Sequence, residues 1–351
     1  MNKRLYLDFH IIQTVPPSCV NRDDTGSPKT ARYGGVTRAR VSSQSWKRAI
    51  RMMFADIFQD EVLAQRTKKI VPYVSSYIKM LDSSIDDTKA EKLAMEALKN
   101  AGLKIKSAEK GTDALFFLSS AQAEALAKLS VGGETDKKKY SEALKEHPSI
   151  DMAFFGRMVA SDPSLNYDAT AQVAHSISTH EIQNEYDYFT AVDDCMPEDN
   201  AGAGHVGTIE FNSSTLYRYA TLNVHELRKH LQQETPAAIR GFAEAFIRSM
   251  PTGKQNTFAN RTFPDMIYVT IRTDQPVNLV GAFEQPVRST EGYVKPSIKA
   301  LVSYANDIYA KFGATPEQAF AVGNGLEALV AETITLPELL DSLENIVKEV
   351  E

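Results

Sequence analysis

Val41-Ser42-Ser43-Gln44-Ser45-Trp46-Lys47-Arg48-Ala49-Ile50-Arg51 sets the frame in which the rest of the chain is read. The hydroxyls of Ser42 and Ser43 suit a helix start, where the first backbone N–H groups lack intrahelical partners, and helical spacing then predicts a helix to about Phe58. Trp46, Ala49, Ile50 and Met53 recur at i, i+3, i+4 and i+7, the stripe a helix buries against a core. Gln44, Lys47, Arg48 and Arg51 gather on the opposite face, which is therefore polar and cationic.

Upstream, Leu5, Leu7, Phe9 and Ile11 alternate with Tyr6, Asp8, His10 and Ile12, which predicts a strand over Leu5–Thr14. Between strand and helix, Val15–Val41 carries Pro16-Pro17, Gly26, Pro28 and Gly34-Gly35 and reads as a long, functional loop. From about 60 to 150 the composition turns Ala-, Lys- and Glu-rich with helical periodicity and polar turns, a helical insertion. Asp151–Met158 resumes an apolar run, and Ala169–Thr179 reads as a helix. Tyr186–Phe211 reads as an extended hairpin. Leu216–Asn223 and Met266–Thr273 read as strands, with Pro236–Met250 a helix between them. Pro296–Phe312 and Pro337–Val350 are helical. This order predicts an α+β fold with a ferredoxin-like or RRM-like βαββαβ core. The core would comprise 1–59 and 151–351, interrupted by the insertion at 60–150.

The chain has 351 residues, 43% hydrophobic and 24% charged, enough apolar material for a core and too much for a disordered chain. No apolar run approaches the roughly 18 residues of a membrane span, and Asp8 and His10 interrupt the start where a signal peptide is apolar, so a soluble cytoplasmic protein with no membrane partner is expected. Two cysteines, Cys19 and Cys195, provide neither a disulfide framework nor a cysteine-rich zinc site. The net charge of −6 disfavours nucleic acid until it is resolved along the chain. Arg22–Arg51 holds eight basic residues (Arg22, Lys29, Arg32, Arg38, Arg40, Lys47, Arg48 and Arg51) against Asp23 and Asp24. Ala314–Glu351 holds one base against eight acids. An anionic polymer needs spaced cations together with helix-terminal N–H groups, and the first window offers both; a solvated basic helix face has the same composition.

Other motifs carry less. Gly202-Ala203-Gly204-His205-Val206-Gly207 fits G-x-G-x-x-G but follows a polar stretch and precedes a strand, the reverse of a dinucleotide site, so no cofactor is expected. His175 and His180, near Asp193-Asp194, are five residues apart rather than the four that bring helical ligands to one metal, and read as hydrogen-bonding structural histidines. Tyr188-Phe189-Thr190 could stack on bases or anchor the hairpin, and the RNP1 signature is absent. No Ser/His/Asp or Cys/His arrangement stands out.

Cys19-Val20-Asn21-Arg22-Asp23-Asp24, Tyr33-Gly34-Gly35 and Arg40–Arg51 together resemble the CasC family, the repeated backbone subunit of the type I-E CRISPR Cascade surveillance complex. Gly156-Arg157-Met158, Ala174-His175-Ser176-Ile177, Asp187–Asp194, Gly207–Phe211, Tyr217–Ala220, Pro264-Asp265-Met266 and Lys295–Ile298 extend the resemblance in the same order. It implies a modified RRM-like palm, helical fingers at 60–150 and a β-hairpin thumb at about 183–215. It implies no enzymatic activity, and an antiviral role in which copies form a filament along a CRISPR guide RNA, among other Cascade subunits, and present it to a target DNA strand. By position, Arg22, Lys29, Ser42, Gln44, Lys47, Arg48 and Arg51 would hold the RNA backbone, and Met158, Tyr188 and Phe189 would form or support the wedge that interrupts base stacking. Arg38, Arg40, Arg157 and Thr190 complete the implied RNA-binding set. Val36 stands where family members carry a basic residue. The alternative is an RNA-cleaving backbone of the type III kind, using Asp23, Asp24, Asp193 or Asp194. A self-assembling protein without nucleic acid is the third reading.

Overall fold

Leu7, Phe9 and Ile11 are all fully buried, and so are Asp8, His10 and Ile12 on the opposite face of the same strand. The computed structural model, which describes residues 4–58, 63–159, 162–191, 195 and 205–349, shows why. Its strands are Tyr6–Ser18 (β1), Thr30–Tyr33 (β2), Val36–Val41 (β3), Gln65–Thr67 (β4), Phe116–Leu118 (β5), Ala171–Val173 (β6), Ser176–Ser178 (β7), Glu185–Ala191 (β8), His205–Asn223 (β9), Met266–Arg272 (β10), Gln318–Gly323 (β11) and Glu332–Thr333 (β12). Its helices are Ser43–Ile57 (α1), Ile70–Leu81 (α2), Asp87–Asn100 (α3), Ser120–Val131 (α4), Lys137–Ala143 (α5), Ile150–Phe155 (α6), Val224–Leu231 (α7), Thr235–Arg248 (α8), Gln255–Phe258 (α9), Val294–Phe312 (α10) and Leu336–Glu349 (α11). The fold is α+β with a large mixed sheet whose main path runs β12-β11-β10-β1-β9-β7-β3-β2; β8 pairs with β9 off this path.

The chain divides into two compact units. Met1–Ile50, Val173–Leu222 and Ala243–Ile346 form the first, and Arg51–Gln172, Asn223–Phe242 and Val347–Glu351 the second. In the first unit β1 pairs antiparallel with β10, and β10 with β11. One face of β1 meets the α8 ring Phe246, whose centroid lies 5.9 Å from that of Phe9. Ile12, on the other face, belongs to a cluster with Tyr219 and Tyr268 of the sheet and Leu301, Ala305 and Tyr309 of α10. The polar half of the alternating pattern is therefore covered rather than solvated, and its groups find internal partners. The Tyr219 hydroxyl and the Val277 N–H donate to the two Asp8 carboxylate oxygens, at 3.0 and 2.7 Å. His10 Nδ1 lies 2.8 Å from the Tyr217 hydroxyl.

Two sequence expectations are corrected here. Ala169–Thr179 is not helical: it holds β6 and β7, and β7 pairs with β3 and β9. Val15–Val41 is only partly loop, because β1 continues to Ser18 and β2–β3 is a hairpin closed by the pair Tyr33↔Val36. Its Gly34-Gly35 turn has φ of +59° and +81°, the left-handed pair that a two-residue hairpin loop requires.

The second unit is mostly helical. Val74 and Ile78 of α2, Ala90, Ala94 and Leu98 of α3 and Leu126 of α4 share one core, and the alanines allow close helix approach. Its helix starts are capped as the sequence allows: Asp86 accepts from the Lys89 N–H, Ser119 and Gln122 form a reciprocal capping box, and Asp136 accepts from the Lys138 N–H. The stretch 60–150 lies wholly within this unit, which also takes in neighbouring segments on either side.

Candidate nucleic-acid interface

The loop between β1 and β2 is built, not slack. Asp23 accepts hydrogen bonds from the Thr25 N–H (2.9 Å) and hydroxyl (2.7 Å) and from the Ser27 N–H (3.1 Å), which closes a turn between the bridged residues Arg22 and Pro28. Those bonds hold the Asp23 carboxyl below its ordinary pKa. The turn leaves Arg22 exposed at its base. The Lys29 N–H donates to the Asn21 carbonyl at 2.8 Å.

Arg40 is anchored from β3 through Nε to the Thr30 carbonyl at 3.1 Å, and a second guanidinium nitrogen lies 3.2 Å from His175 Nδ1. Lys29 and Arg40 line one small cleft with Asn21, Ser18, Asn212 and Ser214, which sets two cations beside neutral polar groups. Ser42 follows directly and caps α1: the Ser45 N–H donates to its hydroxyl at 3.3 Å, while its own N–H donates to the Asn21 side chain at 2.9 Å. Helix start and loop are thus tied together by one asparagine.

Along α1, Trp46 and Ile50 are buried as the periodicity requires. The Trp46 indole N–H donates to the Ser176 hydroxyl at 2.9 Å, and the Arg218 guanidinium lies 3.8 Å above its ring. Gln44 and Arg48 are exposed on the opposite face. Lys47 is half-buried there, and desolvation pulls its ammonium pKa below the ordinary value.

Three expected RNA contacts have structural duties instead. Arg38 is fully buried and donates to the carbonyls of Tyr33, Ser178, Phe283 and Glu284. Arg157, in the second unit, is buried between the Phe116 and Tyr167 rings and donates to the carbonyls of Leu165, Phe117 and Leu144 and to Gln122 Oε1. Arg51, also in the second unit, donates to the buried Asp151 carboxylate at 2.6 Å and to the Ala64 carbonyl at 2.8 Å, with its guanidinium over the Phe117 ring. A guanidinium so engaged leaves its buried acceptors unsatisfied if it turns to solvent.

Met158 is 85% exposed in the second unit. In the first, β8 pairs antiparallel with β9 from Glu185↔Phe211 to Ala191↔His205, and every β8 residue is exposed. Successive side chains on a strand point to opposite faces, so Tyr188 and Phe189 project from opposite faces of β8. Phe189 lies over Gly207, where an added Cβ would fall 2.4 Å from its ring. Tyr188 shares its face with Thr190 and with Tyr186, the two tyrosines 67% and 70% exposed. Tyr186 is outside the expected RNA-binding set, though period-2 spacing from Tyr188 marks it; His175, expected as a structural histidine, is exposed beside Arg40. His180 is a structural histidine: it receives the Thr215 N–H on Nε2, bonds the Glu181 carbonyl through Nδ1 and stacks on Tyr293 at 3.6 Å. Of the alternative's aspartates, Asp23 is occupied in the turn, Asp24 is exposed, and Asp193 and Asp194 lie outside the described residues, as does Gly202-Ala203-Gly204. Among the described residues no group of three or more His, Cys, Asp or Glu side chains could hold a metal, and no helix is long and apolar enough to cross a membrane.

A chain of the solved structure "CRISPR RNA-guided surveillance complex, pre-nicking" is 31% identical with a TM-score of 0.83, over 97% of this chain and 100% of that one. A second, from a "CRISPR RNA-guided surveillance complex", is 28% identical with a TM-score of 0.65, over 97% and 99%. No curated protein matches. The match of residues 7–349 to the family model of CT1975-like proteins spans nearly the whole sequence, and the chain belongs to that CRISPR-associated family.

Proposed function

We propose that this chain is the non-catalytic, RNA-binding backbone subunit of a type I-E Cascade complex, acting in the cytoplasm. Copies line up along a CRISPR guide RNA and present it, among the other subunits, to a target DNA strand. In this reading the first unit is the modified RRM-like palm, the 60–150 insertion the fingers, and the β8–β9 ribbon the thumb whose aromatic face meets the bases.

The observation that carries the proposal is the series Arg22, Lys29, Arg40, Lys47 and Arg48, arrayed on loop, strand and helix around the capped start of α1. Contacts of this kind read phosphate and not sequence, which is what a subunit serving every spacer requires. End-to-end similarity to chains of two surveillance complexes supports the same assignment. RNA affinity measured against salt tests it. The pair Lys47→Glu with Arg48→Glu is expected to weaken binding of unrelated RNAs alike and to lower the log–log salt slope by about 1.4, at roughly 0.7 per single-strand phosphate contact. Unchanged affinity would sink the site. Incubation of the bound RNA with Mg²⁺ is expected to leave it intact; cleavage abolished by an Asp→Ala substitution would return the catalytic alternative.

A further inference from the structure

His175 sits on the short turn that leads into β7, exposed, with Nδ1 3.2 Å from a terminal guanidinium nitrogen of Arg40. A guanidinium can only donate, so Nδ1 accepts; the imidazole is neutral and carries its proton on Nε2, free of that contact. The charged groups facing the ring are Arg40 from β3 and Lys29 from the loop before β2; among the described residues no carboxylate acts on it. Protonation of this exposed ring is disfavoured in the free protein by desolvation and by the two cations, with no acid to balance them. It becomes favourable when an anion joins.

We infer that His175 is a third ligand of the phosphate seat formed by Lys29 and Arg40, and that RNA binding there is coupled to proton uptake by its ring. The inference rests on the RNA-backbone reading and gives that site a specific stoichiometry. A phosphodiester between the three groups takes the Arg40 N–H that His175 now accepts, which frees Nδ1. It also offsets the positive field that disfavours the imidazolium. Burial and the two cations hold the free ring below its ordinary pKa. The bound ring, facing a negative charge, titrates higher. Affinity gained by protonation is therefore fully present below the free pKa and lost as pH rises through the bound one.

The test is the affinity of the full chain for a fluorescein-labelled single-stranded RNA, followed from pH 8 to pH 5.5 at constant salt. Wild type is expected to bind severalfold more tightly at the acidic end. His175→Gln keeps an acceptor for Arg40 but cannot take up a proton, and is expected to lose most of the acidic gain whatever its affinity at pH 8. His175→Arg, permanently charged, is expected to bind tightly at every pH with a flat profile. If His175→Gln keeps the wild-type profile, the inference is overturned while the RNA reading stands. If wild type binds no RNA at any pH, the RNA reading falls and takes the inference with it.

Discussion

Two buried ionisable residues on one face of β1 pull the stability of the first unit in opposite directions. Asp8 is raised to a pKa of about 6, chiefly by desolvation, although Tyr219 and Val277 donate to it. His10, fully buried among tyrosine rings, is lowered to about 3, again chiefly by desolvation. A carboxyl with a raised folded pKa contributes stability below its unfolded value near 3.8, and this is lost as pH rises to about 6. An imidazole with a lowered folded pKa contributes stability above 6.5, lost as pH falls towards 3. Between about pH 4 and 6 the two slopes nearly cancel, so urea denaturation of wild type should show little pH dependence from this pair. Asp8→Asn leaves the histidine slope alone, and stability should climb with pH by up to about 1.4 kcal/mol per unit across that window. His10→Gln should reverse the sign. Parallel pH profiles for all three proteins would contradict the burial argument. The alternation of Leu7, Phe9 and Ile11 was legible as a strand, but not the covering of its polar face, since that depends on α10, distant in sequence.

Elements long enough to repeat their period were readable, and those too short were not. The capped and periodic start of α1 marks the helix without help from the fold. β6 and β7 are three residues each, separated by Ala174-His175, so neither completes enough alternation to outweigh an apolar spacing that also fits a helix. Their strand identity comes from pairing: β7 lies between β3 and β9 and has its backbone satisfied there. The β2–β3 hairpin hid behind its own turn, because Gly34-Gly35 signals a loop and a two-residue hairpin equally. The two glycines are not equivalent. Both have positive φ, yet a Cβ on Gly34 would lie 1.6 Å from the Glu284 carbonyl oxygen, whereas one on Gly35 meets nothing. Gly35→Ala should therefore cost only the left-handed backbone penalty of about 1–2 kcal/mol. Gly34→Ala must in addition displace backbone that holds the Arg38 carbonyl acceptors, and should cost about 3 kcal/mol or more. Thermal unfolding of the two variants compares them directly, and equal losses would mean that the turn adapts freely.

At the scale of the whole molecule, the cationic window survives folding in reduced form. Arg38 and Arg51 leave it to hold the fold together, Arg32 donates to the Gly35 carbonyl of the hairpin turn, and Arg22, Lys29, Arg40, Lys47 and Arg48 remain as the proposed binding series. Charge counting cannot make that division, because a guanidinium turned to solvent and one packed on buried carbonyls are identical in sequence. The overall charge of −6 sets a second condition. A molecule negative on the whole is held on RNA only by its local cationic surface, and copies of it repel one another in free solution. If the surface reads phosphates alone, no base marks where one copy should end and the next begin. Spacing along the RNA must then come from the length each copy covers, and the number bound must grow with the length of the strand. Native mass spectrometry of the protein with single-stranded RNAs of graded length should show copy number rising in equal steps as fixed increments of RNA are added. The steps should be independent of base composition and should collapse at high salt as counterions compete for the phosphates. One copy per RNA at every length would contradict the filament and leave only an isolated binding module.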